Sequence, residues 1–260
     1  NLENLANSNL KDIRDINGTC DIIRQMGECL KTHPVTGMIY TENNFIKARQ
    51  PTTIQCLLKD VILKIDVKLL QENEDVIGYI YEHIITSYNK KNSKLGQFFT
   101  PRILMNLILS FKKERMNELF LSINDKIKVY DSCMGTAGWL VICFNMFREI
   151  YGERILLSGG EVKPSTFQYG LMNLITTLNK FPFDVQCESS LTHINDTKHN
   201  LIVTNPPFKT SFKFEQIVTN MKNDTLSKRH NISSKDIYKL EDNNPPIQFL
   251  ELNIYKLEEG

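Results

Sequence analysis

The chain has 260 residues and 41% hydrophobic content, enough for one large domain or two modest ones around a packed core. Its 31 Lys and Arg nearly balance 30 Asp and Glu, so overall charge points to no polyanionic partner. Six cysteines form no CxxC pair and stand apart from the five histidines, which argues against a metal site or disulfide scaffold and for a reduced, cytoplasmic setting.

No signal peptide is visible at the start, and Asn1 rather than Met opens the chain, as expected of a fragment. "LKDIRDINGTCDIIRQMGECL" carries apolar residues at spacings of three and four, the pattern of amphipathic helices. "THPVTG" reads as a turn. "PTTIQCLLKDVILKIDVKLLQ" reads as a further helix, with Pro51 and Thr52 or Thr53 placed to start it. "EDVIGYIYEHIITSYN" reads as another. Residues 1–71 are therefore expected to form a helical domain, and nothing in them points to a sharper role.

From about residue 95 the texture changes. In "SKLGQFFTPR", Gly96 and Pro101 mark a loop, yet Phe98 and Phe99 stand side by side in it. Such rings need a cover, either a ligand or the helical region. Beyond lie four short β-rich runs, "KIKVYDS", "ILLSGGE", "FDVQCES" and "NLIVTNPP". Helical patterns such as "AGWLVICFNMFREIYG" and "PSTFQYGLMNLITTLN" separate them; "WLVICFNMF", the most apolar stretch, is far too short to cross a bilayer. Strands alternating with helices predict an α/β fold with a doubly wound parallel sheet. Such sheets bind ligands beyond the carboxyl ends of their strands.

At the first strand end, Asp131 precedes Gly135 and Gly138 in a turn that opens the next helix. Small residues there let a ligand approach backbone N–H groups, although a glycine turn without a ligand has the same pattern. At the second end stands Glu161, able to accept from ribose hydroxyls or to sit as an acid at a helix start. The third offers Glu188 and Ser189, either to an adenine amino group or to solvent. The fourth breaks into Asn205-Pro206-Pro207-Phe208. Two prolines remove N–H donors and leave carbonyl acceptors. An amine there can donate to the Asn205 amide oxygen and the Pro206 carbonyl, while Phe208 offers a flat face to a planar base. Together the four ends suit an adenosine-containing ligand and an exocyclic amine as methyl acceptor. Four basic residues and no acid lie from Lys90 to Arg102, and seven basic with three acidic from Lys209 to Lys239. The second segment is expected to be a mobile loop, tracking phosphates or simply solvated.

"GQFFTPR", "DSCMGTAGWL", "GGEVKPSTFQYGLMNLI", "CESSL" and "NLIVTNPPF", in that order, resemble the DNA adenine-N6 methyltransferases, most closely the modification subunit of type I restriction–modification systems. The resemblance covers residues 72–260. It implies a catalytic domain over that span with the class I S-adenosylmethionine-dependent methyltransferase fold, which is Rossmann-like. On matching positions, Gln97, Phe98, Phe99, Thr100, Pro101 and Arg102 would embrace the methionine part of S-adenosylmethionine. Asp131, Gly135, Thr136, Ala137 and Gly138 would form the cofactor turn, Glu161 would hold the ribose, and Glu188 would lie near the cofactor adenine. Asn205, Pro206, Pro207 and Phe208 would hold a target adenine flipped out of double-stranded DNA. A separate specificity subunit, a second modification subunit and sometimes a nuclease subunit are the implied partners; no metal and no membrane are.

The chain departs from the family at Ser132, usually Pro, at Trp139, usually Phe, and at Glu188, usually Asp or Asn. The family continues into a fifth strand after the helix that ends near Gly260. Strands five to seven are thus expected to be missing and the fourth strand to be an exposed edge, so that the chain is a piece of a longer protein, poorly soluble or in need of a partner. Two other readings share NPP: an amine methyltransferase acting on protein glutamine or RNA, and a truncated relative that binds cofactor or a partner without catalysis.

Overall fold

The computed structural model describes residues 100–178, 183–208 and 213–258, together with Lys64, Ile80 and His83. The helical expectation for residues 1–71 falls outside these save at Lys64, as do Gln97, Phe98 and Phe99. The chain divides into two units, Asn1–Glu72 and Asn73–Gly260, and the second holds every element below.

Its first element is a helix the sequence reading passed over, α1 (Arg102–Ser122). Pro101 caps it, and its carbonyl accepts from Leu104 and Met105. Apolar residues lie on several of its sides, so no single stripe announces it. Met105, Leu109, Met116 and Phe120 are buried, whereas Ile103, Leu107 and Phe111 are exposed. β1 (Ile127–Asp131), α2 (Gly138–Tyr151), β2 (Ile155–Gly160), α3 (Pro164–Leu178), β3 (Phe183–Gln186) and β4 (Leu201–Ile202) follow. The four expected strands and the two expected helices are all present.

The sheet is parallel throughout, in the order β3-β2-β1-β4. Winding proceeds outward from β1 to β3, then returns to β1's other side, which makes the carboxyl ends of β1 and β4 the switch point. Alternation sorts each strand's side chains between the two faces. Ile127, Val129, Ile155 and Leu157 are fully or almost fully buried, and Val129 stands between Leu157 and Leu201. α2 lies against β1 and β2. It is apolar nearly all round because α1 covers it too: Phe120 meets Phe147 and Tyr151 edge to face at 4.9 and 5.6 Å. Truncating a ring so buried costs about 3–5 kcal/mol.

The alternate positions on β1 and β2 carry polar groups. Ser158 donates to Val129 O and shares a 2.9 Å hydrogen bond with His199 Nε2. The imidazole stacks on Tyr130 at 4.7 Å. Lys256, also buried, donates to Asn195 O and Oδ1 at 2.7 and 2.5 Å.

Between β4 and the last helix, α4 (Phe214–Asn223), α5 (Thr225–Arg229) and α6 (Ser234–Ile237) form a compact insert. Ile217, Met221, Ile237 and Tyr238 pack with Leu191 and Ile194 of the β3–β4 connection and with Phe249 and Leu252 of α7 (Pro245–Lys256). Tyr238 Oη donates to Leu191 O at 2.7 Å. This corrects the mobile loop expected over Lys209–Lys239: from Lys213 onward the segment is helical and cored, while residues 209–212 lie outside the described residues. Four apolar residues spread over short helices are enough to anchor it but too few to show a period amid the charges.

β4 stands at the sheet's edge, yet that edge is not bare. Asn200 N–H donates to Lys128 O on β1, whereas His199 N–H donates to Lys256 O and His199 O accepts from Glu258 N–H. His199 and Leu257 thereby form a parallel bridge on the side away from β1. Among the described residues no helix is long and apolar enough to cross a membrane.

Candidate functional site

β1 and β4 are direct neighbours, so the glycine turn after one and the Asn-Pro-Pro turn after the other leave the sheet side by side. Val203 N–H donates to Tyr130 O at 2.9 Å, extending the pairing to the last residue before the turns. One step further, Ser132 Oγ and Thr204 Oγ1 are 3.2 Å apart. The sequence reading overlooked this hydroxyl pair. Its only signal was position: Ser132 stands one residue past β1 and Thr204 two past β4, and the strand order brings the two together.

The turn after β1 is tightly folded. Gly135 and Ala137 both adopt left-handed backbone, with φ of 54° and 62°. Ala137 N–H closes the turn on Met134 O at 2.7 Å, and Met134 N–H donates to Gly160 O at 3.0 Å. α3 supports it from behind. Asn173 Nδ2 donates to Thr136 O at 3.0 Å, and a Cβ on Gly170 would stand 2.7 Å from Gly135 O. Only a glycine on α3 lets helix and turn approach this closely.

Three consecutive residues then join the two turns. Thr100 Oγ1 accepts from Asn205 Nδ2 at 2.8 Å. Arg102 Nη2 donates to Thr136 Oγ1 at 3.3 Å, and its guanidinium lies over Gly138, where a Cβ would stand 2.5 Å from Nη1. Pro101 between them fixes its own φ and holds Thr100 in extended backbone. Thr100-Pro101-Arg102 thus reaches from the Asn205 amide to the glycine turn.

The acids at the strand ends are wholly or partly buried. Asp131 is fully buried; Oδ1 accepts from Cys133 N–H at 3.0 Å. The Thr204 hydroxyl is close enough to ease the charge, but it pairs with Ser132, and Oδ2 has no hydrogen-bond partner among the described residues. Burial, with a smaller push from Glu161, raises the Asp131 pKa from 3.8 to about 7. Glu161 is partly buried and accepts from Lys163 N–H at 2.7 Å. Burial raises its pKa too, opposed mainly by backbone N–H groups of Lys163 and Gly135. Its own N–H donates to Gln186 O at the end of β3, 3.1 Å away.

The structure therefore brings together Thr100, Arg102, Asp131, Gly135, Thr136, Ala137, Gly138, Glu161 and Asn205. It leaves others at the margin. Glu188 is exposed, although its carbonyl lies near Gly160. Pro206 is half-buried, Pro207 is exposed, and Phe208 is 67% exposed. Gln97, Phe98 and Phe99 are outside the described residues.

What the site can hold follows from its charges. Two partly or wholly buried carboxylates with raised pKa values call for a ligand that brings positive charge and hydroxyl or ammonium donors. The glycines at 138, 159 and 160 let Arg102, the Asp131 carbonyl and Ser190 pack directly on the backbone around the turn. S-adenosylmethionine, with a sulfonium, an ammonium and ribose hydroxyls, fits that set of acceptors. No cluster of His, Cys, Asp and Glu among the described residues has metal-ligand geometry.

Comparison with known proteins gives the same picture. The model of the N-6 DNA Methylase family matches residues 72–260. Over 143 residues the chain is 26% identical to the Type I restriction enzyme MjaIX methylase subunit of Methanocaldococcus jannaschii, covering 53% of this chain and 24% of that protein. Two solved structures share the fold at lower identity. A Vibrio vulnificus protein described as a modification subunit of a type I restriction enzyme superposes with a TM-score of 0.63 at 17% identity, covering 90% of this chain and 47% of that one. The type I restriction-modification system methyltransferase subunit of Streptococcus thermophilus superposes with a TM-score of 0.62 at 20% identity, covering 99% and 52%. The sheet order and these superpositions identify the class I methyltransferase fold expected from the sequence. The chain spans about half the length of these structural relatives and a quarter of the curated one.

Proposed function

Because the chain belongs to the N-6 DNA Methylase family, we propose that it transfers a methyl group from S-adenosylmethionine to N6 of adenine in DNA. The observation that carries this reading is the link between the two turns, in which Thr100 bonds Asn205 and Arg102 bonds Thr136. It ties the acceptor turn after β4 to the glycine turn after β1, so that ligands held by the two would lie side by side.

S-adenosylmethionine, when bound, supplies the electrophilic methyl. The protein's own part is positioning and charge. Asp131 and Glu161 accept from the ligand's donors, and each raised pKa falls back as positive charge arrives. The backbone of residues 135–138 would hold the ligand, and Glu188, exposed beyond β3, would reach its adenine. At the acceptor turn, Asn205 Nδ2 is committed to Thr100, which leaves Oδ1 to accept from the target amine. The Pro206 carbonyl is the second acceptor. These two oxygens stabilise the amine as its nitrogen gains positive charge, and they aim its lone pair toward the neighbouring ligand. Exposed Phe208 offers its ring to a flipped base. Holding both reactants in line is worth roughly 7–11 kcal/mol. The relatives are named as methylase or modification subunits of type I systems; the setting proposed for this chain is the same role, in the cytoplasm and with a specificity subunit and a second modification subunit.

The test is methyl transfer by the full-length protein from labelled S-adenosylmethionine to adenine-containing DNA, RNA and protein in parallel. Label in N6-methyladenine of DNA is expected, with a fall of about 100-fold or more in Asn205→Ala. Label in RNA or protein alone, or an Asn205→Ala variant as fast as wild type, would overturn the reading.

A further inference from the structure

We infer that Thr100 is a positioning residue for catalysis: its hydroxyl fixes which end of the Asn205 amide faces the target amine. This rests on the methyl-transfer reading above and deepens it.

An asparagine amide has two ends of nearly equal shape and opposite hydrogen-bond character. Oδ1 toward the amine accepts a hydrogen bond from its N–H and stabilises developing positive charge. Nδ2 in the same place opposes the incoming donor with another donor. Half a turn about one bond separates a productive site from a dead one. Something other than the substrate has to choose between them.

Among the described residues the Asn205 side chain has one hydrogen-bond partner, Thr100 Oγ1, 2.8 Å from Nδ2. Thr100 is well suited to that choice. It precedes Pro101, so its backbone is confined to extended conformations. Its β-branched side chain has few χ1 options. Pro101 in turn is the N-cap of α1 and accepts from Leu104 and Met105 at 2.9 and 3.1 Å, so the hydroxyl is carried on a 21-residue helix. On the other side Thr204, the residue before Asn205, is tied to Ser132 at 3.2 Å. The backbone of the acceptor turn is thus held by β1, and its amide by the residue that opens α1.

A residue that only lined the cofactor would change affinity. A positioning residue changes turnover and leaves affinity alone. In the full-length protein, Thr100→Val keeps the shape and removes the hydroxyl, and Thr100→Ser keeps the hydroxyl. Thr100→Ala is the second hydroxyl-free variant should Val disturb the fold, which a thermal melt reports. Thr100→Val should lower kcat for DNA methylation about 10- to 100-fold. Its Kd for S-adenosylhomocysteine and its KM for DNA should stay within about twofold of wild type, and Thr100→Ser should recover kcat to within about threefold. A readout without turnover is the side-chain amide of Asn205 in a ¹⁵N–¹H spectrum, identified as the pair of signals lost in Asn205→Asp. It should move in Thr100→Val and hold in Thr100→Ser.

An unchanged kcat in Thr100→Val, a loss of kcat matched by a loss of cofactor affinity, or a Ser variant no better than Val would each overturn the inference. If wild type methylates no DNA, the methyl-transfer reading falls, and the amide signals alone decide whether Thr100 fixes Asn205; unmoved signals in Thr100→Val would count against it.

Discussion

β1 and β2 bury polar groups in two places, and the two differ in who satisfies them. Along one face lie Ser158, His199 and Lys256. There the protein answers its own groups: Ser158 bonds Val129 O and His199, and Lys256 bonds both oxygens of Asn195. Among the described residues His199 Nδ1 and the nearby Ser190 Oγ lack a hydrogen-bond partner, and neutral atoms tolerate that better than a charge does. At the carboxyl ends of the same strands, Asp131 keeps one oxygen unpaired among the described residues, and burial of Glu161 outweighs what Lys163 and the nearby backbone N–H groups return. Burial acts on both places and shifts their titrations in opposite senses. The difference lies in the charge left over: the first place pairs its groups around a cavity of about 50 Å³, and the second holds acids whose burial outweighs what their neighbours return.

The largest test of this contrast is Asp131→Asn. The native pKa near 7 lies above the unfolded 3.8, so the contribution of Asp131 to stability is full below pH 3.8 and is lost as pH rises toward 7. Above pH 7 the ionised carboxylate is a net cost. Asn keeps an oxygen for Cys133 N–H and removes the charge. It should raise the stability of the ligand-free protein at pH 8 by about 2–4 kcal/mol, read by urea unfolding, and change it little at pH 4. The same variant should bind S-adenosylhomocysteine at least about tenfold more weakly by calorimetry. An Asp131→Asn variant no more stable than wild type at pH 8 would show that the buried acid is satisfied after all.

His199 gives the opposite sign. Its pKa is lowered from 6.5 to about 4, by burial first and then by Lys256, with Lys128 and Lys198 adding to it. Its contribution is present above pH 6.5 and is lost as pH falls through 4. The loss should reach about 2–3 kcal/mol, and His199→Gln should flatten it. Unfolding curves at pH 7, 5.5 and 4 decide this. A variant that loses as much stability as wild type across that window would remove His199 as the cause.

Much of this was legible in the sequence because it depends on pattern. The β-rich runs before Asp131, Glu161, Glu188 and Asn205 became four parallel strands; the ends of β1 and β4 stand side by side, while Glu188 lies exposed beyond β3 at the far edge. What stayed hidden depends on contacts between distant positions. Nothing in "FFTPR" says that Thr100 will meet Asn205, 105 residues away. Nothing in "PSTFQYGLMN" says that Gly170 and Asn173 will face the glycine turn. α1 escaped because its apolar residues form no single stripe. The insert from Lys213 to Lys239 was misjudged because charge dominates its composition, while Ile217, Met221, Ile237 and Tyr238 do the anchoring.

The smallest expected effect joins the two kinds of polar group. Ser132 is buried and shares a hydrogen bond with Thr204. Ser132→Ala removes that bond, a loss of about 1 kcal/mol in an ordinary setting. Here the freed Thr204 hydroxyl has an alternative, the unpaired Oδ2 of Asp131. An ionised carboxylate accepts more strongly than a protonated one, so the alternative is better above pH 7 than below it. The cost should therefore be about 1 kcal/mol at pH 5 and under about 0.5 kcal/mol at pH 8, and in the Asp131→Asn background the difference between the two pH values should vanish. Urea unfolding of the single and double variants at both pH values measures this coupling. A cost that is the same at pH 5 and pH 8 would mean that Thr204 cannot turn to Asp131, and that its oxygen awaits a donor the protein does not itself supply.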